Sequence, residues 1–331
     1  MQDRLGPMET GPYGLLQTVA DLVKLIQKED IVPSAAQRLL FLLSPLLAFA
    51  AVFAGFSVVP VGESWQGAAI HSGVFFLLAI VSLDVIALVM AGWSSNNKYS
   101  TIGAFRAAAQ LLSYEVPLGL TVLTVCIYAG TLDLYQISLQ QGVVIDGDNH
   151  VLGIKALGEV ASWGGFFSWN VMRMPVLFFV WIIFFIASLA ECNRAPFDLP
   201  EAESELVAGI QTEYSGFRWA TIMLAEYAMM LLVSIIGAIL FFGSWYSPLP
   251  NIGPVTLADW TNGSKGTWSA TAWGAFWLIG KALSFVVIQM WVRWTFPRLR
   301  INQLMSVCWK YLTPFALFFL LVTAVWKLLL A

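Results

Sequence analysis

The chain has 331 residues, of which 59% are hydrophobic and only 11% are charged. A soluble domain carries about 25% charged residues, so this composition excludes a cytosolic enzyme, a nucleic-acid-binding protein and a disordered chain. The 17 basic and 20 acidic residues give a net charge of -3, which does not indicate a polyanionic partner.

The segment before the first apolar run predicts an amphipathic helix on the cytoplasmic side. It is not a signal peptide, because residues 1–28 contain no apolar h-region. One face of this helix can lie on the bilayer or on a partner, and a solvated helix packed on the bundle remains the alternative. The apolar residues that recur at helical spacing are Leu15, Leu16, Val19, Leu22, Val23 and Ile26.

Seven segments are long and apolar enough to cross a bilayer, which requires about 20 residues per helix. They run from Leu39 to Pro60, Ala69 to Trp93, Ala107 to Tyr128, Pro175 to Glu191, Phe217 to Trp245, Ala270 to Val292, and Val307 to Leu330. The sequence therefore predicts an all-α integral membrane protein of about seven transmembrane helices, with an N-terminal amphipathic helix and an acidic cytoplasmic loop. We expect a cytoplasmic segment over 1–38 and one transmembrane domain over 39–331.

The basic residues predict the orientation. Twelve of the 17 Lys and Arg side chains lie on the side of residues 1–38, four lie on the opposite side, and Lys281 lies inside a span. Because cytoplasmic loops are enriched in Lys and Arg, residues 1–38 and the acidic loop 190–216 are predicted to be cytoplasmic.

Four ionisable residues interrupt the predicted spans: Asp84, Glu115, Glu226 and Lys281. Counted from the cytoplasmic end of each span, all four are expected at a depth of roughly 12 to 16 Å. Such residues are costly in a bilayer and usually face the bundle interior, which favours a proton relay. A static interhelical contact is the alternative for each one. Pro117 frees a backbone carbonyl near Glu115, where we expect an internal water to bind.

The segment 190–216 is the most acidic part of the chain. Asp198 and Pro200 predict a helix start and Gly209 predicts its end. Glu201 and Glu205 would then repel each other as i and i+4 neighbours, and burial would raise their pKa values toward neutrality. Interleaved apolar residues favour burial against a partner over a solvated loop, with Arg194 as the counter-ion. The acids are Glu191, Asp198, Glu201, Glu203, Glu205 and Glu213.

The three cysteines, Cys126, Cys192 and Cys308, are more than 60 residues apart. This spacing fits neither a zinc site nor an iron–sulfur cluster. We expect no metal in this chain, so any electrons must be carried by another polypeptide.

Several longer motifs carry a resemblance that covers nearly the whole chain. They are DRLGPMETGPYGLLQTVADLVKLIQKEDI at 3–31, AGWSSNNKYS at 91–100, FRAAAQLLSYE at 105–115, ECNRAPFDLPEAESELVAG at 191–209 with TEYSG and LAEY after it, and RWTFPRLRINQL at 293–304. The chain resembles the family of the H subunit of bacterial NADH-quinone oxidoreductase, whose mitochondrial counterpart is NADH dehydrogenase subunit 1.

The resemblance implies a place in respiratory complex I of the bacterial inner membrane, where this subunit walls the quinone tunnel at the junction of the two arms. Quinone is then the substrate, and FMN and the iron–sulfur clusters belong to partner subunits. The implied partners are the quinone-site subunits of the peripheral arm, the small and antiporter-like membrane subunits, and lipid, but no nucleic acid.

The resemblance also implies roles for individual residues. The quinone-side residues would be Arg4, Asp21, Lys24, Arg194, Asp198, Glu201, Glu203 and Glu205. Coupling is implied for Arg106 and Glu191. The proton relay would comprise Glu213, Glu226, Glu115 and Asp84. Lys281 is added to this relay because it lies within a predicted span.

The sequence departs from the family pattern at its start, because relatives begin with one more transmembrane helix and have eight. We expect a start codon assigned too late rather than a missing helix. Ile222 and Met223 also stand where relatives often have Phe. The competing interpretations are the homologous anchor subunit of a membrane-bound hydrogenase, a secondary transporter and a purely structural anchor. No internal repeat supports the transporter.

Overall fold

The computed structural model describes residues 6–142, 165–200, 203–251, 257–262 and 267–330. These residues form helices and connecting turns, and within these ranges the only β-type pairing is an isolated bridge between Pro60 and Gln66. The prediction of an all-α membrane protein is confirmed.

Eight principal helices organise the chain. They are α1 (Gln17–Gln27), α2 (Arg38–Phe56), α3 (Gly73–Ser94), α4 (Lys98–Ala129), α5 (Val176–Glu191), α6 (Gly216–Phe241), α7 (Trp268–Thr295) and α8, which joins Ile301–Val307 to Thr313–Leu330 through the π-helical turn Cys308–Leu312. Short helices lie at Leu134–Leu139, Asn170–Arg173, Glu203–Leu206 and Leu257–Asn262, and 3-10 turns at Pro12–Gly14, Gly165–Ser168 and Gly209–Glu213.

Each of the seven predicted spans coincides with a helix from α2 to α8. In the described ranges, six of these helices are long and apolar enough to cross a membrane. The exception is α5, which is apolar but has only 16 residues and is therefore about 24 Å long. The chain is thus a multi-pass membrane protein with six long apolar helices and one short one.

Helix α4 begins nine residues earlier than the predicted span. The Asn97 side chain accepts a hydrogen bond from the Tyr99 backbone N–H at 2.9 Å, which caps the first turn. Gly130 ends the helix in the left-handed conformation at φ 74°, a conformation that glycine adopts without steric cost. The polar residues between 98 and 106 hide this part of the helix from a hydropathy pattern.

In α2 and in α4 a proline interrupts the helical hydrogen bonding, and a side chain from another element lies close to the freed carbonyl. Pro117 of α4 cannot donate to Ser113, and the Cys308 thiol lies 3.0 Å from the Ser113 oxygen. Pro45 of α2 leaves the Phe41 carbonyl free, and the Tyr214 hydroxyl lies 3.5 Å from it. At Pro117 the donor is thus a side chain of α8, where the sequence predicted a water.

Helix α4 lies at the centre of the bundle. It packs against α3, α5 and α8, while α6 packs against α2 and α7. The Tyr114 side chain is fully buried and its hydroxyl donates to the Leu304 carbonyl at 3.0 Å, which fixes α8 on α4. Leu177 of α5 and Leu232 of α6 are also fully buried.

The two ends of the bundle are formed by different connecting segments. At the end that we call proximal, the Gln37 N–H donates to the Ser94 carbonyl at 2.9 Å, and Arg218 pairs with Asp30 at 2.7 Å. At the distal end, the Tyr135 hydroxyl donates to the Glu63 carbonyl at 3.0 Å. The proximal end holds the acidic segment 192–215.

The predicted helix from Asp198 to Gly209 is wrong in extent. Its described part is the single turn Glu203–Leu206, followed by the 3-10 turn Gly209–Glu213. Val207 has φ 65° and Gly209 has φ 53°, so the backbone leaves the right-handed helical region at both residues.

Candidate functional site: carboxylates at the proximal end

Four carboxylates from four helices form one electrostatic group, which we call the acid cluster: Asp84, Glu115, Glu191 and Glu226. The charge of Glu191 interacts with those of Asp84 and Glu115, and the thiol of Cys192, the next residue, lies in the field of Asp84 and Glu226. Glu191 is only 4% exposed, and within the described ranges its Oε2 has no hydrogen-bond partner. These four acids therefore share one region between α3, α4, α5 and α6.

Neutral side chains from neighbouring helices hold two of these acids. The Ser82 hydroxyl of α3 donates a short hydrogen bond to Glu115 of α4. Gln211 donates to Glu226 at 3.4 Å, while its side-chain oxygen accepts from the Trp219 indole at 2.7 Å. The amide of Gln211 is therefore oriented from one side and presented to the carboxylate on the other.

A small cavity adjoins Glu226 and reaches the acidic segment. Its lining residues are Leu88, Asn193, Pro200, Ile210, Gln211, Ile222 and Glu226. A second cavity adjoins Glu191 and extends away from the proximal end between α3, α4 and α6. The second cavity has a volume of about 20 Å³, which is enough for one water molecule. Apart from Glu191, the residues that line it are apolar.

Glu213 connects the acid cluster with the proximal surface. The Asn97 amide donates to its carboxylate at 2.6 Å. The turn that carries it lies directly on α4, because a Cβ at Gly103 would come within 3.1 Å of the Gly209 Cα. Glu213 and Gln211 are two residues apart, so the same turn supports Glu213 and contacts Glu226.

In the described part of the chain, Arg194 contacts an aromatic ring and Asp198 forms its ion pair with Arg298. Arg194 is 9% exposed and stacks over the Tyr227 ring at 4.3 Å. Asp198 instead pairs with Arg298 at 2.9 Å. Burial raises the pKa of Asp198, and the charge and hydrogen bond of Arg298 oppose that rise. Within the described residues, the closest ion pair of Asp198 is thus with Arg298, which lies before α8.

The remaining predicted residues lie apart from the acid cluster or outside the described residues. Arg106 pairs with Glu205 at 2.5 Å, and the Glu205 side chain is 60% exposed in the single chain. Asp21 and Lys24 pair with each other at 3.3 Å on the exposed helix α1. The positions of Arg4 and Glu201, and the side chain of Glu203, lie outside the described residues.

Lys281 makes its side-chain contacts apart from the acid cluster. Its ammonium group donates to the backbone carbonyls of Ser244 and Tyr246 at 2.9 and 2.7 Å, and lies 5.0 Å from the centre of the Trp169 ring. Ser244 follows the distal end of α6, and α6 runs about 22 Å from Glu226 to Phe241. Counting residues along α7 misses this because the long side chain and helix packing place the ammonium group at the other end.

Several residues that shape the site were not assigned from the sequence: Ser82, Asn97, Gln211, Tyr227 and Arg298. Asn97 lies in the AGWSSNNKYS motif and Tyr227 in LAEY, so the motifs marked the regions without indicating the contacts. Because buried carboxylates require hydrogen-bond donors, polar residues near a buried acid could have been predicted as its hydrogen-bond partners.

The fold and these carboxylates define a multi-pass helical membrane protein that holds ionisable groups between its spans. In the described part of the chain, no group of three His, Cys, Asp or Glu side chains is arranged to hold a metal ion. A family model described as NADH dehydrogenase matches residues 1–324, and the chain belongs to that family.

Relatives of known name agree with this assignment. The NADH-quinone oxidoreductase H subunit 2 from Cytophaga hutchinsonii is 56% identical, with 98% of this chain and 91% of the relative covered. The H subunit from Chlorobaculum parvum is 48% identical, with 98% and 84% covered. The H subunit from Geobacillus is 43% identical over the same shares. The resemblance seen in the motifs is confirmed, and this chain is likewise a subunit of an enzyme complex.

Proposed function

We propose that this chain is the membrane subunit that forms the quinone-access tunnel of a proton-pumping NADH-quinone oxidoreductase. It occupies the inner membrane, with 1–38 and the acidic segment facing the cytoplasm, and 39–331 forms one domain. Family membership and the names of the relatives support the oxidoreductase. In this proposal quinone is the substrate, and FMN and iron–sulfur clusters belong to the partner subunits of the peripheral arm.

The observation that carries the coupling role is the continuity from Glu213 to the acid cluster. Glu213 lies at the proximal end and Gln211 of the same turn contacts Glu226. Asp84, Glu115 and Glu191 continue the group on three further helices. In this proposal a change of charge at one member acts electrostatically on the next, because charges interact more strongly in the protein interior than in water.

The quinone-side residues have separate functions in this proposal. Arg194 is held over Tyr227 and follows Glu191 and Cys192 in the chain, at the inner end of the acidic segment. Reduction of quinone creates a demand for protons or a negative charge on the quinone, and Arg194 would stabilise that charge. Asp198, Glu201, Glu203 and Glu205, with Arg4, Asp21 and Lys24, would line the approach, and Arg106 would hold the segment through Glu205.

The mechanism couples two events through electrostatics. Protonation of the quinone draws on the acids at the proximal end, and the acid cluster passes the resulting shift to the antiporter-like subunits along the membrane. The coupling free energy is reciprocal, so a change in the acid cluster also alters the affinity of the quinone site for quinone and for its protons. Lys281 has no part in the proposed relay, because its ammonium group lies at the distal end.

The test replaces Glu115 or Glu226 by Gln in the assembled enzyme and measures NADH:quinone turnover and proton uptake by inverted membrane vesicles. We expect proton-coupled turnover to fall roughly tenfold or more, within the range of measured coupling free energies. Glu63→Gln is the matched control, since Glu63 lies at the distal end beside Tyr246. Full turnover with an unchanged number of protons per NADH in both variants would overturn the proposal.

A further inference from the structure

Two basic side chains at the distal end converge on the end of α4. Arg173 donates from Nη1 to the Gln140 carbonyl at 2.5 Å, and Lys327 donates to the Tyr128 carbonyl at 2.5 Å. The Gln140 side chain donates to the Ala129 carbonyl at 3.0 Å, so both contacts belong to one small surface. The last carbonyls of a helix have no partner within the helix and carry partial negative charge, which attracts cations.

Helix capping uses only part of the donor capacity of these two side chains. Arg173 has five N–H donors and Lys327 has three, and each makes one contact to a carbonyl. The two cations lie on neighbouring acceptors, because Gln140, whose carbonyl binds Arg173, also donates to Ala129, the residue after Tyr128. Among the described residues, no carboxylate lies within 4.0 Å of either side chain. Two adjacent cations with spare donors favour an anion between them.

The helices next to this pair carry exposed apolar side chains on the surface that faces lipid. Phe178 and Phe179 are exposed on the first turn of α5, directly after Arg173. On α8, Phe315 and Phe318 are exposed, and the Phe319 ring stacks on Phe179 with a centroid distance of 5.7 Å. Phe319 precedes Lys327 by eight residues, which is about 12 Å along the helix. The cations thus lie above a continuous apolar and aromatic face.

We propose that Arg173 and Lys327 bind the phosphate of an anionic phospholipid, whose acyl chain lies along α5 and α8. The charge requires an anionic headgroup, and the aromatic face requires an apolar tail on the same molecule. Arg and Lys side chains form strong charge-assisted hydrogen bonds with phosphate oxygens, which suits this pair to a phospholipid headgroup. The site is at the distal end, so it does not depend on the proposed role of the acid cluster.

The test uses the assembled enzyme in detergent with two photoreactive lipids that carry the same diazirine-labelled acyl chain. One is a phosphatidylglycerol and the other is a phosphatidylcholine. We expect phosphatidylglycerol to label peptides of α5 and α8 at least several-fold more strongly. Lys327→Gln should abolish this preference, and Lys310→Gln should retain it, because Lys310 is an exposed lysine at the opposite end of the same helix.

Two further controls test whether the variants misfold and whether a free anion binds instead of a lipid. Lys327→Arg and Arg173→Lys keep the charge and should keep the preference for phosphatidylglycerol. Inorganic phosphate at millimolar concentration should not displace the lipid, because the acyl chain adds binding energy that phosphate lacks. Equal labelling by both lipids, unchanged labelling in Lys327→Gln, or displacement by inorganic phosphate would overturn the proposal and leave the cations as helix caps only.

Discussion

Asp198 shows what the surroundings of a single residue decide. Its side chain is 15% exposed and its Oδ2 pairs with Arg298, while its Oδ1 has no hydrogen-bond partner among the described residues. Burial raises the pKa of this carboxyl even though Arg298 opposes the rise. The backbone reinforces the contact, since the Leu299 N–H donates to the Pro196 carbonyl at 3.1 Å. The acidic segment is thereby held to the start of α8.

At the residue scale, we predict that Arg298→Gln lowers the stability of the subunit by about 1–3 kcal/mol at pH 7.5, because the mostly buried carboxylate loses its counter-ion. Without Arg298 the pKa of Asp198 rises further, so the folded state binds the proton more tightly than the unfolded state. The penalty should therefore shrink as the pH falls toward 5.5, and it is greatest at pH values above the folded pKa.

The measurement is the melting temperature of the purified enzyme as a function of pH. The double variant Arg298→Gln with Asp198→Asn serves as the control, because it has no carboxyl to titrate at this position and its melting difference should stay constant. A penalty in the single variant that grows on acidification would contradict the prediction.

The contact between α3 and α4 depends on glycine. A Cβ at Gly92 would lie 2.7 Å from the Ser100 carbonyl oxygen and would also overlap the Cβ of Ala104. The backbone of α4 cannot move away without carrying the rest of the helix with it. The same pair of helices holds Ser82 against Glu115, so this close approach also positions a member of the acid cluster.

At the element scale, Gly92→Ala should separate α3 from α4 and lower stability by about 1–3 kcal/mol, the usual cost of overpacking. Gly119→Ala in α4 is the matched control, because nothing lies within 4 Å of the added Cβ. That control should be neutral or more stable by about 0.5–1 kcal/mol, since alanine favours the helix. Thermal stability and yield of the assembled enzyme measure both. Equal effects of the two changes would show that the helices are not in close contact at Gly92.

The whole molecule has two chemically different ends. The proximal end contains the acidic segment and most of the basic residues, and the distal end contains Lys281, Arg173 and Lys327. The positive-inside rule therefore predicts a cytoplasmic proximal end, even though both ends contain buried or half-buried cations. The three native cysteines are all buried, which leaves a low background for labelling of introduced thiols.

At the scale of the molecule, an introduced cysteine reports the orientation. We predict that Ser269→Cys, exposed at the distal end, reacts with a membrane-impermeant maleimide in right-side-out spheroplasts. Asn96→Cys, exposed at the proximal end, should react in inverted vesicles instead. The parent protein, treated in the same way, gives the background of the native thiols. The opposite labelling pattern would reverse the proposed topology.

The sequence by itself determined the fold class, the approximate spans, the amphipathic helix and the family. The spans follow from the free energies of transfer from water to the bilayer, summed over about 20 consecutive residues. Such a sum needs only the local sequence and no knowledge of tertiary contacts. The same reading placed Glu115 and Glu226 within spans and the acidic segment between two of them. Motifs such as ECNRAPFDLPEAESELVAG extended the reading from fold to family because the order of residues is specific.

Only the tertiary structure decided which charged groups meet. It joined Asp198 to Arg298, Glu205 to Arg106 and Arg194 to Tyr227, and it placed Lys281 at the distal end. Residue counting gives a depth along a straight helix but no rotation about its axis, no tilt and no reach of the side chain. Those quantities follow from the packing of all helices together, so partners that lie 100 residues apart cannot be read from the local sequence.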